Sequence, residues 1–473
     1  MSPIGTSESP LRVAIIGSGP SGFYAAEHLF KQTDRIIEVD MYDRLPTPYG
    51  LVRGGVAPDH DKIKTVTKVY EKIAANPHFR FYGNVEFGRD LTHAEVSAHY
   101  HAVIYAVGAQ TDRAMGIPGE DLPGSYAATE FVGWYNAHPD FRDHTFDFSA
   151  TAVAVVGNGN VAMDVARILA SGEGELRGTD IADYALEALC NSRVTDIYLL
   201  GRRGPAQAAF THPELKEFGE LAEADVIVAP SEAALDPLSA DDLKRTPNTL
   251  AEKNLALLKT FSVRPPYGKP KRIHMRFLVS PLELRGNGKV EEIVLVKNVL
   301  TAAPDGSLRP KATEITETLK VGMVFRSIGY KGVPLPDVPF DAKAAVIPNK
   351  AGRVIDPATG AVRRGDYVVG WIKRGPSGVI GTNKPDSVET VNCLLEDLAS
   401  LSPLSPPTSG ATHREAVEAL LAARQVAYVT FEDWQLLDQA EVANGAAMGR
   451  PRLKYARIPD MLAAIRERKA KRA

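Results

Sequence analysis

Cysteine is scarce: the 473 residues include two, Cys190 and Cys393, far apart in the chain. The absence of a CxxC pair argues against a dithiol relay of the thioredoxin-reductase type. An iron–sulfur cluster held by one chain ordinarily needs four cysteine ligands, so any cluster involved must belong to another molecule. Long apolar runs are missing too, and no stretch of about 18 apolar residues is present to span a bilayer. Residues 1–10 are polar and lack the apolar region of a secretory signal, which makes a cytoplasmic location the expectation. Neither sign of charge dominates: a net charge of −3 gives no global pull toward nucleic acid or an anionic membrane. No metal-ligating pattern and no repeat of fixed short period stands out.

What is present is a pair of glycine fingerprints. The first, Gly17-Ser18-Gly19-Pro20-Ser21-Gly22, follows the apolar run Val13-Ala14-Ile15-Ile16. The second, Gly157-Asn158-Gly159-Asn160-Val161-Ala162, follows Val153-Ala154-Val155-Val156. Each reads as strand, tight turn and helix, the arrangement that sets a pyrophosphate against helix N-terminal amides. One such motif is weak evidence. Two in the same context predict an α/β protein with two Rossmann-like dinucleotide-binding domains.

Residues downstream of each fingerprint set its preference. The strand 36–42 ends at Asp43, and an acid there accepts hydrogen bonds from adenosine ribose hydroxyls while repelling a 2′-phosphate. The corresponding strand 194–200 ends in Gly201-Arg202-Arg203. Two guanidiniums in the acid's place reverse the preference, because they can grip a 2′-phosphate through charge-assisted hydrogen bonds. The first site therefore suits FAD or NAD and the second NADP. An Arg-Arg surface turn is the plainer alternative.

The run 102–108 is a buried-type strand ending in glycine, and Val324-Phe325-Arg326-Ser327-Ile328-Gly329-Tyr330 mirrors it. These two crossovers predict a discontinuous FAD-binding domain, residues 1–109 and 331–404, with an NADP-binding domain, 110–330, inserted. The stretch between the second fingerprint helix and Arg202 is too long for a minimal crossover, so an insertion is expected near 171–192. A helix is expected over 387–398 from its apolar spacing, and a Ser/Pro-rich linker over 400–410. Residues 405–473 read as a C-terminal extension packed on or near the FAD domain, with helical patterns near 413–424 and 459–470. Residues 253–276 carry seven Lys or Arg and no acid, and the tail from Arg450 carries nine bases against two acids. Either could steer an acidic partner; either could be a solvated basic face.

These features resemble the adrenodoxin-reductase-like family of ferredoxin–NADP reductases, above all its actinobacterial members. Beyond the fingerprints, the likeness rests on Leu45-Pro46-Thr47-Pro48-Tyr49-Gly50-Leu51-Val52-Arg53, on Gly55-Val56-Ala57-Pro58-Asp59-His60, on Ala209-Phe210-Thr211, and on the stretch from Gly370 to Lys384. It covers roughly residues 11 to 400. For FAD, the resemblance implies contacts from Gly17, Gly19, Ser21, Gly22, Asp43, Leu51, a strand around Phe87, Trp371, Gly378, Val379 and Ile380. Many relatives carry Glu where this chain has Asp43. For NADP(H), it implies Asn158, Gly159, Asn160 and Val161 at the pyrophosphate and Arg202 with Arg203 at the 2′-phosphate. Glu214 and Arg113 would lie near the nicotinamide ribose, and Gly378 would leave room for nicotinamide to stack on flavin.

His60 and Glu214 are the candidate catalytic residues, a pair the resemblance brings to the flavin–nicotinamide contact, where it could orient a ring or move a proton. Read from the residues alone, His60 shapes a loop and Glu214 is a solvated acid at a helix start. Asp59 and Asp61 read as loop and helix caps. Hydride transfer itself needs two rings stacked, dry and oriented. The leading function is NADPH oxidation with electrons passed singly to a ferredoxin-type iron–sulfur protein, an acidic one. The alternative is a quinone or diaphorase-type reductase on the same fold. A glutamate-synthase-like subunit lacks its cysteine motifs here, a flavin monooxygenase lacks a third pocket, and a non-catalytic nucleotide sensor is disfavoured by intact glycines at both sites. No nucleic acid or membrane partner is expected, and a monomer is the favoured state.

Overall fold

The computed structural model describes residues 3–407 and 410–472. Its first strand, Leu11–Ile16, is buried along all six residues, as a central parallel strand covered on both faces must be. It pairs in parallel with Ile37–Asp43 on one side and Ala102–Tyr105 on the other. Seven strands form this sheet, in the order Asn349–Lys350, Arg353–Ile355, Val362–Val368, Ala102–Tyr105, Leu11–Ile16, Ile37–Asp43, Phe79–Gly83. The last five run parallel. Ile16 is in register with both Tyr42 and Tyr105, and Tyr105 with Val368. Gly17, Asp43 and Gly370 therefore leave the sheet along one carboxyl edge, where open α/β sheets bind their ligands.

A second sheet of six parallel strands runs Ser125–Ala127, Met323–Arg326, Ala152–Val156, Asp196–Leu200, Lys271–Arg276, Ala224–Val228. Val156 is in register with Leu200 and Arg326, so Gly157, Gly201 and Ser327 share an edge in the same way. An antiparallel sheet of Val279–Arg285, Glu292–Ala302 and Leu308–Lys320 covers one face, burying Ile293 and Leu295 against Ala154, Leu200 and Val324. Where the chain passes between the two large sheets, Thr111–Asp112 pairs antiparallel with Tyr330–Lys331.

The segment expected as an insertion holds two short helices, Glu173–Leu176 and Asp183–Cys190. The helix expected over 387–398 instead spans Asn383–Glu396, followed by a single 3-10 turn at Leu398–Ser400. Its first turn is polar and contains Pro385, which a first turn tolerates, so apolar spacing alone places its start too late. Of the linker expected over 400–410, residues 408 and 409 lie outside the described ones, and 401–407 forms neither helix nor strand. No strand surrounds Phe87. Gly88 at φ +90° and an Asp90 carboxylate accepting from the Glu86 amide at 2.7 Å close a turn there, and Phe87 and Leu91 form only an isolated bridge.

Beyond residue 410 lie the helices His413–Ala423, Phe431–Ala446 and Ile458–Arg472. The middle one is absent from the sequence expectation because buried Asp433 and Glu441 interrupt its apolar stripe of Trp434, Leu437 and Ala440. This segment packs on the outer strand of the first sheet: Val429 and Gly83 exchange two backbone hydrogen bonds of 2.8 Å, and Arg414 pairs with Asp40. Among the described residues, no helix is long and apolar enough to cross a membrane.

Candidate dinucleotide and redox site

The glycines of the first fingerprint divide the work by space. Gly17 sits at φ +106°, and a Cβ there would lie 2.6 Å from the Ala106 carbonyl oxygen. A Cβ on Gly22 would collide with the Gly17 carbonyl oxygen, whereas nothing lies within 4 Å of one on Gly19. The middle position is thus the open one, where a ligand backbone can approach the helix Pro20–Phe30. Asp43 accepts from the Ser18 amide at 3.1 Å, the Ser18 hydroxyl at 2.5 Å and the Leu45 amide at 2.9 Å, which fixes its carboxylate beside that opening. Burial outweighs these bonds and raises its pKa.

Two of the apolar side chains expected to line the flavin are exposed, Leu51 at 38% and Val379 at 58%. Exposed aliphatic groups near an open glycine cradle suit a flat apolar ring that covers them. Phe87, by contrast, is buried with its ring 5.8 Å from Tyr105, so only its backbone is available to a ligand.

The loop after Gly370 is tied tightly. Trp371 Nε1 donates to the Ser377 carbonyl at 3.2 Å, and its indole lies 5.4 Å from the Tyr330 ring. Arg374 donates to the Ser377 carbonyl at 2.5 Å and to Asn383 Oδ1 at 2.8 Å, and Thr382 Oγ1 donates to the Val379 carbonyl at 2.6 Å. Gly378 has φ +80°, and a Cβ on it would strike the Thr382 hydroxyl. The loop's own threonine therefore already requires glycine at 378, ahead of any clearance for a stacked ring. Arg374 and Thr382 lie within the Gly370–Lys384 motif, but their loop-shaping contacts cannot be read from it.

In the second fingerprint a Cβ on Gly157 would collide with the Ser327 carbonyl oxygen, while Gly159 is again open. Asn158 Nδ2 is buried without a hydrogen-bond partner, an orphaned donor against Gly201 at the end of the next strand. Asn160 Oδ1 accepts from the Thr211 amide at 2.9 Å, so this side chain also pins the next loop. Val161 is half-buried beside the core. The Arg202 and Arg203 backbones are clamped by Asn298 Nδ2 at 2.9 Å and the Leu278 amide at 3.1 Å, yet neither guanidinium joins an ion pair among the described residues. Burial, then the Arg202 charge, lowers the pKa of Arg203. Arg113 is exposed, and its amide donates to the Gly329 carbonyl at 3.0 Å. Two uncompensated guanidiniums at the end of a strand fit a 2′-phosphate.

His60 is where the two halves touch. Its Nε2 lies 2.9 Å from Glu217 Oε2 and 3.9 Å from Glu214 Oε2, both on the helix His212–Phe218, and its Nδ1 lies 3.9 Å from Asp164. The expected pairing of His60 with Glu214 is present, but the nearer partner is Glu217, one helical turn on. Arg167, fully buried, sits among four carboxylates: Asp59 at 2.7 Å, Asp164 at 2.7 Å, Glu214 at 3.0 Å and Glu217 at 3.4 Å. Asp59 is thus an ion-pair partner across the two halves and caps nothing, while Asp61 opens a four-residue helix and is exposed. Glu214 is buried, against the reading of a solvated helix-start acid.

Four carboxylates against one guanidinium and one imidazole retain a proton near neutrality. Burial lowers the His60 pKa, but the Glu217 hydrogen bond and the Asp164 and Glu214 charges outweigh it and leave it raised. Burial, followed by Asp164, pushes Glu214 up to about 7. His60, Glu214 and Glu217 offer three donor atoms within 4.8 Å of one another, as a metal site would, although Arg167 already supplies the local positive charge.

The residues present fit FAD at the first cradle and NADP at the second: open central glycines, an acid at one ribose position and two arginines at the other. The pattern of the pyridine nucleotide-disulphide oxidoreductases matches residues 11–200. NADPH-ferredoxin reductase FprA of Mycobacterium leprae is 48% identical over 454 residues, 95% of this chain and 97% of that protein. Human mitochondrial NADPH:adrenodoxin oxidoreductase is 41% identical over 469 residues, 97% and 92% of the two chains. The solved structure of Mycobacterium tuberculosis FprA in complex with NADPH matches with a TM-score of 0.90 at 46% identity, covering 96% of this chain and 99% of that one. The chain belongs to the adrenodoxin-reductase-like family of NADPH–ferredoxin reductases.

Proposed function

We propose that this protein oxidises NADPH at the second cradle and delivers the electrons to an acidic ferredoxin-type iron–sulfur protein. Bound FAD supplies the step from two electrons to one, since it accepts a hydride and can release its electrons singly. The chain's own residues bind and orient. Arg202 and Arg203 hold the 2′-phosphate and exclude NADH by leaving two charges unmatched without it. Asp43 takes the adenosine ribose at the flavin side, and the Gly375–Gly381 loop, fixed by Arg374, sets the clearance over the rings. His60 and Glu214, both with raised pKa values, are placed to hold a proton at the seam.

The observation that carries this reading is the seam itself, where the His60–Glu217 hydrogen bond and the Asp59–Arg167 ion pair tie the loop that follows the first fingerprint unit to two helices of the second. The basic stretch 253–276 is smaller as a docking surface than its sequence suggests. Arg272 pairs with Asp196 and Arg276 with Glu232, Lys271 reaches the Leu169 and Ser171 carbonyls, and Lys269 the Leu221 carbonyl. Lys253, Lys259 and Arg264 remain outside ion pairs among the described residues. Anaerobic rapid mixing with NADPH and with NADH tests the reading. Fast bleaching of the flavin band with NADPH, slow bleaching with NADH and one-electron exit to an added ferredoxin are expected. Equal rates with the two nucleotides would overturn the cradle assignment.

A further inference from the structure

The C-terminal segment touches both halves of the molecule, and its contacts converge on the loop that carries Leu51. Glu441, fully buried on the helix Phe431–Ala446, grips Arg53 through both carboxylate oxygens, at 2.6 and 2.8 Å. Arg53 lies two residues beyond Leu51, on the same short helix Leu51–Gly54, and its guanidinium stacks 5.1 Å over the Trp434 ring. Glu441 also accepts from Arg452 at 3.2 Å and from the Tyr455 amide at 3.0 Å, which places the next residue back, Lys454, against the same loop.

Lys454 is buried and reaches across. Its ammonium donates to the Arg53 carbonyl at 3.4 Å on one side, and on the other to Asn136 Oδ1 at 3.2 Å and the Asp180 carboxylate at 3.1 Å. Asn136 caps the helix Ala128–Tyr135, and Asp180 lies in the insertion between the second fingerprint helix and its strand. Asp180 in turn pairs at 2.6 Å with Lys64, four residues after His60. Arg450 reinforces the second side through the Thr179 and Ile181 carbonyls and Asp183, and Arg457 through Asp143. One buried chain of contacts thus runs from the Leu51 loop through Glu441 and Lys454 to Asp180 and back to the His60 segment.

We propose that Glu441 and Lys454 are positioning residues for hydride transfer, fixing the Leu51 and His60 loops of the flavin side at a set height against the nucleotide side. This rests on the assignment of the two cradles made above. Neither residue belongs to either fingerprint or touches a residue assigned to a cofactor; each acts through Arg53 or Asp180. Removing Glu441 leaves the buried Arg53 guanidinium without its carboxylate partner, and removing Lys454 breaks the direct link between Asp180 and the Arg53 carbonyl and leaves Asp180 to Lys64 alone.

The test uses the full-length FAD-loaded protein and the variants Lys454→Met, Lys454→Arg and Glu441→Gln. Flavin content, NADP+ affinity, backbone amide exchange over residues 50–64 and 176–183, and single-turnover flavin reduction at saturating NADPH are measured together. Expected are retained FAD, NADP+ affinity within about twofold, faster exchange in both segments, and reduction slowed about tenfold, the scale on which small misplacements act. Lys454→Arg keeps a cation in the pocket and guards against a Met variant that merely fails to fold: it too should retain FAD and be slower. Full-rate reduction by Lys454→Arg with unchanged amide exchange overturns the proposal. So does slowing that scales only with lost FAD. Failure of NADPH to reduce the parent protein would instead count against the cradle assignment.

Discussion

At the residue scale, the most discriminating contacts are the ones left unpaired. Arg202 and Arg203 have their backbones held and their guanidiniums outside ion pairs, so replacing one costs little folding energy and much ligand energy. Arg203→Ala should weaken NADPH binding by about 1.5–3 kcal/mol, the range for a charge-assisted contact, and leave NADH nearly unchanged. Titrating the protein with each nucleotide decides it, and equal losses would sink the 2′-phosphate role. Gly378 makes the opposite case. Its φ of +80° and the Thr382 hydroxyl both forbid a Cβ, so Gly378→Ala should destabilise the loop by about 1–3 kcal/mol. Adding Thr382→Ala should recover only the steric part of that loss, read as partial return of the melting temperature. A full return would mean that the backbone conformation is unstrained.

At the scale of elements, the two fingerprint units were legible because their signal is local: an apolar strand, glycines at fixed offsets, and a helix whose start the turn dictates. The places of Asp43 and of the Arg202–Arg203 pair are legible for the same reason, each standing where a strand ends. The charge cluster was only half legible. Nothing local marks Arg167, Asp164 or Glu217, because their roles arise when the fingerprint helix Asn160–Ala170 and the helix His212–Phe218 meet the His60 loop. Asp59 was misread as a cap since, in sequence, it only precedes a helix. The helix Phe431–Ala446 escapes because its buried acids, Glu441 satisfied by Arg53 and Arg452 and Asp433 by Lys469, look like surface in the sequence. The cluster also carries a pH signature. His60 and Glu214 bind protons more tightly folded than unfolded, so their stabilisation is complete at low pH and disappears as pH rises through their folded values. For Glu214 that window runs from 4.5 to about 7. Melting temperature should fall across it, and Glu214→Gln, which cannot ionise, should flatten the fall by a few degrees. An unaltered slope in the variant would place the titration elsewhere.

At the scale of the whole molecule, much of the basic charge is matched by nearby acids. Most bases of the C-terminal tail are engaged, Arg452 with Glu441 and Asp438, Arg457 with Asp143 and Lys469 with Asp433. That leaves Lys253, Lys259 and Arg264 as the part of the basic stretch able to steer an acidic partner. Ferredoxin reduction should therefore fall as salt rises from ~0.1 to ~0.5 M, where surface charges are screened, while flavin reduction by NADPH changes less. The triple replacement of these residues by Gln should lower the rate at low salt by about tenfold and remove most of the salt dependence. A variant that keeps the parent's salt profile would move the docking surface elsewhere.

The pairing of Thr111–Asp112 with Tyr330–Lys331 bears on how such a molecule could have been assembled and could be taken apart. The outgoing and returning chains lie side by side, joined again by the Arg113 amide and the Gly329 carbonyl at 3.0 Å. A body whose two ends meet at a neck can be grafted into a host loop without stretching it. A graft that replaced residues 113–329 would enter and leave at this one neck, and it would have to reproduce the partners of Asp59, His60 and Lys454 on its facing side.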